Sequence, residues 1–227
     1  MGSKAEDKDG VLTDVSSSQP KKKRWGFLLF LILPLLAAAV WGLTRPELMS
    51  AFDFSSLGGE EDPLPSWIQR AVIPVDGVSR RGEKLEGLTG IVIHYVGNPG
   101  TTARQNRNWY ADPESEVSSH FIIGLKGEVL LCVPLDEKSS ASNHANATTL
   151  SVEVCHPDET GQFTKASEDR LVELLAYLCR RYDLPVSGII RHYDVTGKNC
   201  PKYYVEHEEA YLAMKKRVRA ALEEEAS

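Results

Sequence analysis

Hydrophobic residues in the second half of the chain occur in short continuous runs that predict buried β-strands. The run GIVIHY at residues 90–95 is rich in β-branched residues and is apolar on both faces, as expected for a strand covered on both sides of a sheet. A hairpin is predicted around Leu125-Lys126-Gly127, because an apolar run stands on each side of this turn sequence. The further predicted strands are residues 119–124, 128–134, 149–155 and 186–190.

Other segments carry the hydrophobic spacing of amphipathic helices. Residues 98–110 predict a turn followed by a short helix, and residues 167–182 predict a longer one. In the longer segment leucines recur at i, i+3, i+4 and i+7, which places them on one helix face, and Ser167 with the two acidic residues after it suits the N-terminus. These leucines are Leu171, Leu174, Leu175 and Leu178, and a last helix is marked by Tyr211, Met214, Val218 and Leu222. Alternating strands and helices predict an α/β domain with a central mixed β-sheet and flanking α-helices.

A long apolar segment near the N-terminus predicts a single transmembrane helix. Residues 25–43 are uncharged, and about 19 residues at 1.5 Å per residue span roughly the hydrocarbon thickness of a bilayer. Trp25 and Trp41 stand near its two ends, where aromatic rings favour the interface. The basic cluster at residues 21–24 precedes the segment, so the positive-inside rule places the N-terminus in the cytoplasm. We therefore expect a single-pass signal-anchor in the cell membrane, with the domain that follows on the extracellular side.

The alternative to an anchor is a cleaved signal peptide, for which Ala37-Ala38-Ala39 offer small residues at a cleavage site. Both interpretations export the remainder of the chain. Residues 44–66, which follow the apolar segment, are rich in Ser, Gly, Pro and acidic residues and do not build a core of their own. The expected division is a basic cytoplasmic tail at residues 1–24, the transmembrane helix at 25–43, the flexible linker at 44–66 and a folded domain at 67–227.

Composition and charge narrow the class of protein. The chain has 227 residues, of which 42% are hydrophobic, enough for one domain with a core besides the N-terminal segments. Its net charge of -6 argues against a nucleic-acid partner, which favours a basic surface. The four cysteines are too few and too scattered for a disulfide framework. We expect an exported monomer that binds no nucleic acid.

The sequence IIRHYDVTGKNCP at residues 189–201 contains candidate metal ligands. It places His192, Lys198 and Cys200 in a polar loop that follows an apolar strand. A further histidine, His94, lies at the end of the strand predicted at 90–95. Imidazole and thiolate groups are common zinc ligands, although a single strand-end histidine is more often structural. A lysine beside such a site could stabilise negative charge.

Four separate stretches resemble the zinc-dependent N-acetylmuramoyl-L-alanine amidases, the type 2 amidase family that includes peptidoglycan recognition proteins and the cell-wall and prophage amidases of Gram-positive bacteria. They are GIVIHYVGNPG (90–100), SSHFIIGLKGEVLLCVPLDE (118–137), LSVEVCHPDETGQF (150–163) and IIRHYDVTGKNCP (189–201). The resemblance implies a groove over one face of a mixed sheet. It also implies a Zn²⁺ ion bound by His94, His192 and Cys200, with a fourth position left to water. Lys198 matches the lysine that stands two residues before the last ligand in the family.

The resemblance points to a catalytic base, with one departure from the family pattern. Many members carry a tyrosine before the His-Phe pair, whereas this chain has Ser119, which cannot reach as far as a phenol. Other bacterial members use a glutamate on a strand that reads like Ser-Val-Glu-Val, which matches Glu153. Because Val152 and Val154 share the opposite face of that strand, we expect Glu153 to face the groove. The alternative is an exposed strand carboxylate.

The remaining histidines carry less weight. His120 is expected to pack near the site or to orient other groups there. Asn143 is expected to contact the substrate, and His144 is an equal candidate for that role. His156 and His207 are expected to be surface or capping residues.

The function that the resemblance implies is hydrolysis of peptidoglycan at the amide between N-acetylmuramic acid and L-alanine of the stem peptide. Glu153 would take a proton from zinc-activated water, and Lys198 would stabilise the oxyanion. A non-catalytic peptidoglycan-binding module is the first alternative. A structural zinc domain is the second, although such sites usually have four protein ligands.

Overall fold

The computed structural model describes residues 64–75, 78–112 and 114–224, which contain one mixed β-sheet. Its strands are β1 (Ile68–Arg70), β2 (Gly90–Tyr95), β3 (Phe121–Ile123), β4 (Val129–Leu131), β5 (Thr149–Val154) and β6 (Ile189–Arg191). Their order across the sheet is β1-β4-β3-β5-β2-β6. The hairpin strands β3 and β4 are antiparallel, and each of the other neighbouring pairs in this sheet is parallel. The mixed sheet predicted from the sequence is therefore confirmed.

The helices flank this sheet, and the first two begin after a residue whose side chain caps the helix. They are α1 (Ala103–Tyr110), α2 (Lys165–Arg181), α3 (His192–Thr196), α4 (Lys202–Glu206) and α5 (Glu208–Glu224), with 3-10 turns at Asn143–Ala147 and Val186–Gly188. A capping box formed by Thr102 and Gln105 opens α1. Thr164 caps α2 by accepting a hydrogen bond from the Ser167 backbone nitrogen at 3.0 Å, so this helix begins slightly before the predicted N-terminus.

One face of the sheet forms the larger hydrophobic core together with α2 and α5. Strand alternation turns Ile91 and Ile93 of β2 and Val152 and Val154 of β5 toward this side. The four predicted leucines of α2 are all fully buried in the same core. Helix α5 packs on this core through its buried residues Tyr211, Met214 and Val218. The helical periodicity read from the sequence thus marks the faces that pack on the sheet.

The opposite face of the sheet carries polar groups next to a smaller hydrophobic cluster. This cluster includes Tyr110 of α1 together with Ile122, Leu130 and Cys155. His94 of β2 lies directly opposite Glu153 of β5 in the parallel register. Because side chains alternate along a strand, both point away from the larger core. The fold therefore brings an imidazole and a carboxylate side by side from two distant stretches of the sequence.

Three local predictions change in the structure. The loop predicted at residues 192–200 begins with the short helix α3. The strand predicted at 186–190 begins only at Ile189, because the residues before it form a 3-10 turn. The sequence pattern does not predict β1, in which only Ile68 of three residues is buried, and so short a segment carries no periodic signal.

The predicted basic tail, transmembrane helix and nearly all of the predicted linker lie outside the described residues. Within the part of the chain that the structure describes, no helix combines the length and the apolar character needed to cross a bilayer. Leu64 and Trp67, at the start of this part, pack against the larger hydrophobic core.

Candidate metal centre

Three potential metal ligands converge at one end of β2 and β6. His94 lies in β2, His192 begins α3 directly after β6, and Cys200 follows α3. All three side chains are buried, and their ligand atoms lie within 4.8 Å of one another. The rings of His94 and His192 have centroids 4.6 Å apart. The structure thus brings together the three residues that the sequence singled out as ligands.

Local hydrogen bonds set the positions of His192 and Cys200. The Asp194 carboxylate accepts hydrogen bonds from the Arg191 backbone nitrogen and its Nη2, each at 2.8 Å, which fixes the start of α3. Gly197 ends the helix in the left-handed conformation, with φ of 78°. The chain then returns, so that the Tyr193 backbone nitrogen donates to the Cys200 carbonyl at 2.9 Å. This closed turn holds a histidine and a cysteine beside each other.

The two ring nitrogens of each histidine have different surroundings. His94 Nδ1 lies 3.8 Å from Cys200 Sγ, whereas its Nε2 lies 2.9 Å from Ser142 Oγ. His192 Nε2 lies 3.3 Å from Asn143 Oδ1. His192 Nδ1 is buried and has no hydrogen-bond partner among the described residues. A buried polar atom without a partner is costly, and a cation at the centre of the cluster would satisfy it.

Glu153 adds a carboxylate to the edge of this cluster. Its Oε1 lies 4.0 Å from His94 Nδ1, and its side chain is only 16% exposed. Its Oε2 is buried without a hydrogen-bond partner in the described part of the chain. Burial raises the pKa of Glu153 to about 8, and the positive charge of Lys198 opposes this rise. The carboxyl group is therefore poised to change protonation near neutral pH.

The ligand side chains are electrically neutral when no cation is present. Burial lowers the pKa of both histidines, that of His94 well below its usual value, and the charge of Lys198 lowers both further. Burial also raises the pKa of the Cys200 thiol to about 12. A divalent cation reverses this preference, because it favours a thiolate and a nearby carboxylate. Two imidazoles and one thiol form a donor set that fits a borderline-soft metal ion.

Two cavities meet beside the cluster, at His192 and Lys198. The larger cavity, of about 530 Å³, is lined by polar and charged side chains. They include Arg81, Glu83, Lys138, Asn143, His144 and Asn146. The smaller cavity, of about 240 Å³, is lined by His94, Glu153 and Cys200 and by the aromatic rings of Tyr95, Trp109 and Tyr110. The two cavities therefore share lining residues beside the cluster.

Other residues considered in the sequence have different surroundings. Ser119 is buried and donates to the carbonyls of Phe121 and Ser151, at 2.9 and 3.0 Å. His120 is also buried, with its Nε2 2.8 Å from the Glu137 carbonyl and its Nδ1 accepting from the Ser151 backbone nitrogen at 3.0 Å. Burial lowers the pKa of His120 to about 4. Both side chains belong to a buried hydrogen-bond network.

The expectation for His156 is wrong, because this histidine is buried. Its ring stacks on Tyr95 with centroids 5.0 Å apart, and its Nδ1 donates to the Asp158 carbonyl at 2.7 Å. Two residues near the cluster were not predicted from the sequence: Ser142, which contacts His94, and Trp109, which lines the smaller cavity. The sequence around them does not indicate a role in a site, because a serine in a polar loop and a tryptophan at a helix end are both common.

Comparisons with known proteins show the family to which this sequence is related. The sequence model of the family described as N-acetylmuramoyl-L-alanine amidase matches residues 85–203, which is more than half of the chain. Among curated proteins, the chain is 31% identical over 171 residues to the N-acetylmuramoyl-L-alanine amidase BlyA of Bacillus subtilis (strain 168). It is 30% identical over 167 residues to the N-acetylmuramoyl-L-alanine amidase CwlL of Bacillus licheniformis. Each match covers 66% of this chain and 46% of the relative, so the chain spans about half the length of these relatives.

Solved structures show the same fold. PlyL superposes with a TM-score of 0.59 at 21% identity, over 66% of this chain and 96% of that one. The catalytic domain of XlyA superposes with a TM-score of 0.59 at 19% identity, over 66% of this chain and 98% of that domain. The described part of this chain therefore shares a complete fold with these proteins.

Proposed function

The chain belongs to the N-acetylmuramoyl-L-alanine amidase family, and we propose that it is a peptidoglycan hydrolase that cleaves the amide between N-acetylmuramic acid and L-alanine. The observation that carries this proposal is the cluster of His94, His192 and Cys200, with Glu153 placed 4.0 Å from the His94 ring. Three protein ligands leave a coordination position open, which is typical of catalytic rather than structural zinc sites.

The metal proposed for this cluster is Zn²⁺. Imidazole nitrogen and thiolate sulfur are its preferred protein ligands, and the unpartnered Nδ1 of His192 supports such an ion. When bound, the ion supplies a Lewis acid that polarises a carbonyl and lowers the pKa of a bound water. His94, His192 and Cys200 would hold it, each from a different part of the sequence.

Glu153 is the proposed general base. Its carboxylate form is disfavoured by burial, but a divalent cation beside it favours that form. The carboxylate can then accept a proton as water attacks the amide carbonyl, and it can return that proton to the leaving L-alanine nitrogen. General acid–base catalysis of this kind contributes about 10²- to 10⁴-fold to the rate.

Lys198 is the proposed stabiliser of negative charge in the transition state. It lines both cavities at the point where they meet, next to His192. Its charge is felt at the cluster, because it lowers the pKa of His94 and opposes the rise in the pKa of Glu153. An ammonium group in this place can donate a hydrogen bond to the oxygen that becomes negative when the carbonyl is attacked.

The two cavities support a substrate that extends to both sides of the scissile bond. A glycan strand and a stem peptide leave the muramyl amide in different directions. The larger cavity is lined by charges of both signs, Arg81 and Lys138 with Glu83 and Glu116. Lys138 is paired with Glu86 at 2.7 Å, so Arg81 is the cation proposed to bind a carboxylate of a stem peptide. Asn143 and His144 line the same cavity, and their contact with the substrate stays a prediction.

The proposed place of action is the outer face of the cell membrane. The apolar segment at residues 25–43 and the basic cluster before it support a single-pass anchor with a cytoplasmic N-terminus. A linker of about 20 residues would let the catalytic domain reach the wall close to the membrane. The proposed partners are therefore peptidoglycan and, through one helix, the membrane, with the chain acting as a monomer.

The product of wall digestion tests this function. Full-length protein is incubated with purified peptidoglycan, and newly exposed L-alanine amino termini are measured. We expect such termini to appear, to stop appearing when a chelator is added and to return with zinc. Glu153→Gln should reduce their formation by at least about 10²-fold, whereas Glu223→Gln, an exposed carboxylate on α5, should not.

Two outcomes would contradict the proposal. Release of other amino termini or of reducing sugar ends would show that a different bond is cut. Protein that sediments with the wall but exposes no L-alanine would instead be a non-catalytic recognition module.

A further inference from the structure

A serine and an asparagine lie within hydrogen-bond distance of the Nε2 atoms of the two histidines of the cluster. Ser142 and Asn143 lie just before and at the start of the 3-10 turn that leads into β5. Ser142 is fully buried, and its Oγ lies 2.9 Å from His94 Nε2. Asn143 Oδ1 lies 3.3 Å from His192 Nε2. Two adjacent residues thus contact both imidazoles, which are themselves far apart in the sequence.

The Asn143 contact sets the tautomer of His192, and the Ser142 contact permits the same tautomer of His94. An amide oxygen only accepts hydrogen bonds, so the proton of neutral His192 must reside on Nε2 for this contact to form. His192 Nδ1 then carries a lone pair, and it is the atom left without a partner among the described residues. A hydroxyl can accept the corresponding bond from His94 Nε2, which leaves the His94 Nδ1 lone pair directed at Cys200 Sγ, 3.8 Å away.

The segment that carries the two residues is held in place by its own hydrogen bonds. Asn146 Oδ1 accepts from the backbone nitrogens of Ala141 and Ser142, at 3.1 and 2.6 Å. The Ala145 backbone nitrogen donates to the Ser142 carbonyl at 3.0 Å. Asn143 has a positive φ of 53°, a conformation that asparagine tolerates better than most residues. The backbone that carries both side chains is therefore held by contacts within the segment itself.

We propose that Ser142 and Asn143 are positioning residues of the metal centre, which fix His94 and His192 in the tautomer and orientation that present Nδ1 to the ion. This inference rests on the metal centre of the proposed function. Partners of this kind hold a ligand ring in place and raise its basicity, and their loss typically weakens metal affinity by about 10- to 100-fold. Neither residue needs to touch the substrate to act in this way.

Zinc affinity of the full-length protein tests the proposal without relying on turnover. The dissociation constant is measured by competition with a chromophoric chelator, for wild type, Ser142→Ala and Asn143→Gly. We expect zinc to bind about 10- to 100-fold more weakly to Ser142→Ala, and about 10-fold more weakly to Asn143→Gly, whose contact is longer. Glycine is chosen at position 143 because it accepts the positive φ, so that backbone strain does not contribute.

Matched variants separate positioning from a general effect on the loop. Asn143→Asp keeps an oxygen acceptor at the same place and tolerates the same φ, so it should keep the wild-type affinity or exceed it. Ser140→Ala removes a hydroxyl from the same segment that contacts the Val78 carbonyl, at 3.4 Å, and not a histidine. It should leave zinc affinity unchanged. The visible spectrum of the Co²⁺-loaded protein should shift in Ser142→Ala and Asn143→Gly but not in Asn143→Asp or Ser140→Ala.

The outcomes distinguish this inference from the proposed function. If wild type binds no zinc, the metal centre itself is wrong. If wild type binds zinc and both Ser142→Ala and Asn143→Gly bind it equally well, the positioning role is refuted. Should Ser142→Ala not fold, the comparison of Asn143→Gly with Asn143→Asp decides alone, because residue 143 is exposed. Equal affinities in that pair would overturn the proposal.

Discussion

Removing the ionisable group at position 153 should change how the stability of the metal-free protein depends on pH. Burial raises the pKa of Glu153 from its usual 4.5 to about 8, so between these values the folded protein holds a proton that the unfolded chain has lost. Stability falls with rising pH wherever the folded state binds more protons. The contribution of Glu153 is thus fully present below about pH 4.5 and is lost as the pH rises toward 8.

The size of the effect follows from the same pKa. Each pH unit in this interval costs about 1.36 kcal/mol of unfolding free energy for one proton. From about pH 5 to about pH 8 the upper limit is therefore about 4 kcal/mol. Because the side chain is 16% exposed, solvent screens part of this penalty, and about 2 to 3 kcal/mol is the expected loss.

Glu153→Gln removes the titration while keeping the shape of the side chain. With a chelator present, urea unfolding of both proteins is measured at several values from about pH 5 to about pH 8. We expect nearly equal stability at the acid end and a glutamine variant that is more stable by about 2 to 3 kcal/mol at the alkaline end. Other titrating groups affect both proteins alike. As a control, Glu223→Gln, at an exposed position, should have the same free energy of unfolding as wild type at each pH. A difference that stays constant with pH would refute the reasoning.

Two further predictions concern the reaction and its location. Lys198→Met should lower kcat on peptidoglycan by about 10²- to 10³-fold, because it removes a donor to the developing oxyanion. Zinc measured by chelator competition should bind at least as tightly as in wild type, because a positive charge near the ligands is lost. A loss confined to KM would instead assign Lys198 to substrate binding. Removal of residues 1–43 removes the predicted anchor, so the protein should leave the membrane fraction of fractionated cells. Its activity on purified wall should remain. A truncated protein that still sediments with membranes would contradict the anchor.

The longer strands follow their predicted limits closely. The limits of β2, Gly90–Tyr95, agree with the predicted strand, and β5 is one residue shorter than its prediction. Both strands are long enough to show a pattern of buried side chains. The three-residue strands β3 and β4 were found because they lie within longer apolar runs on either side of a turn. The strand β1, IQR, has one apolar residue and was missed, and β6 begins three residues later than predicted.

The amino-acid sequence alone determined the secondary structure of the longer elements, the α/β class and the identity of the candidate ligands His94, His192 and Cys200. These features depend on local periodicity and on residue types in recognisable stretches. Only the tertiary structure decided that the three ligand atoms lie within 4.8 Å of one another, that His94 pairs with Glu153 across two strands and that Ser142 contacts His94. Glu153 is buried because segments distant in the sequence pack together, and this burial raises its pKa. A local sequence pattern does not encode such packing.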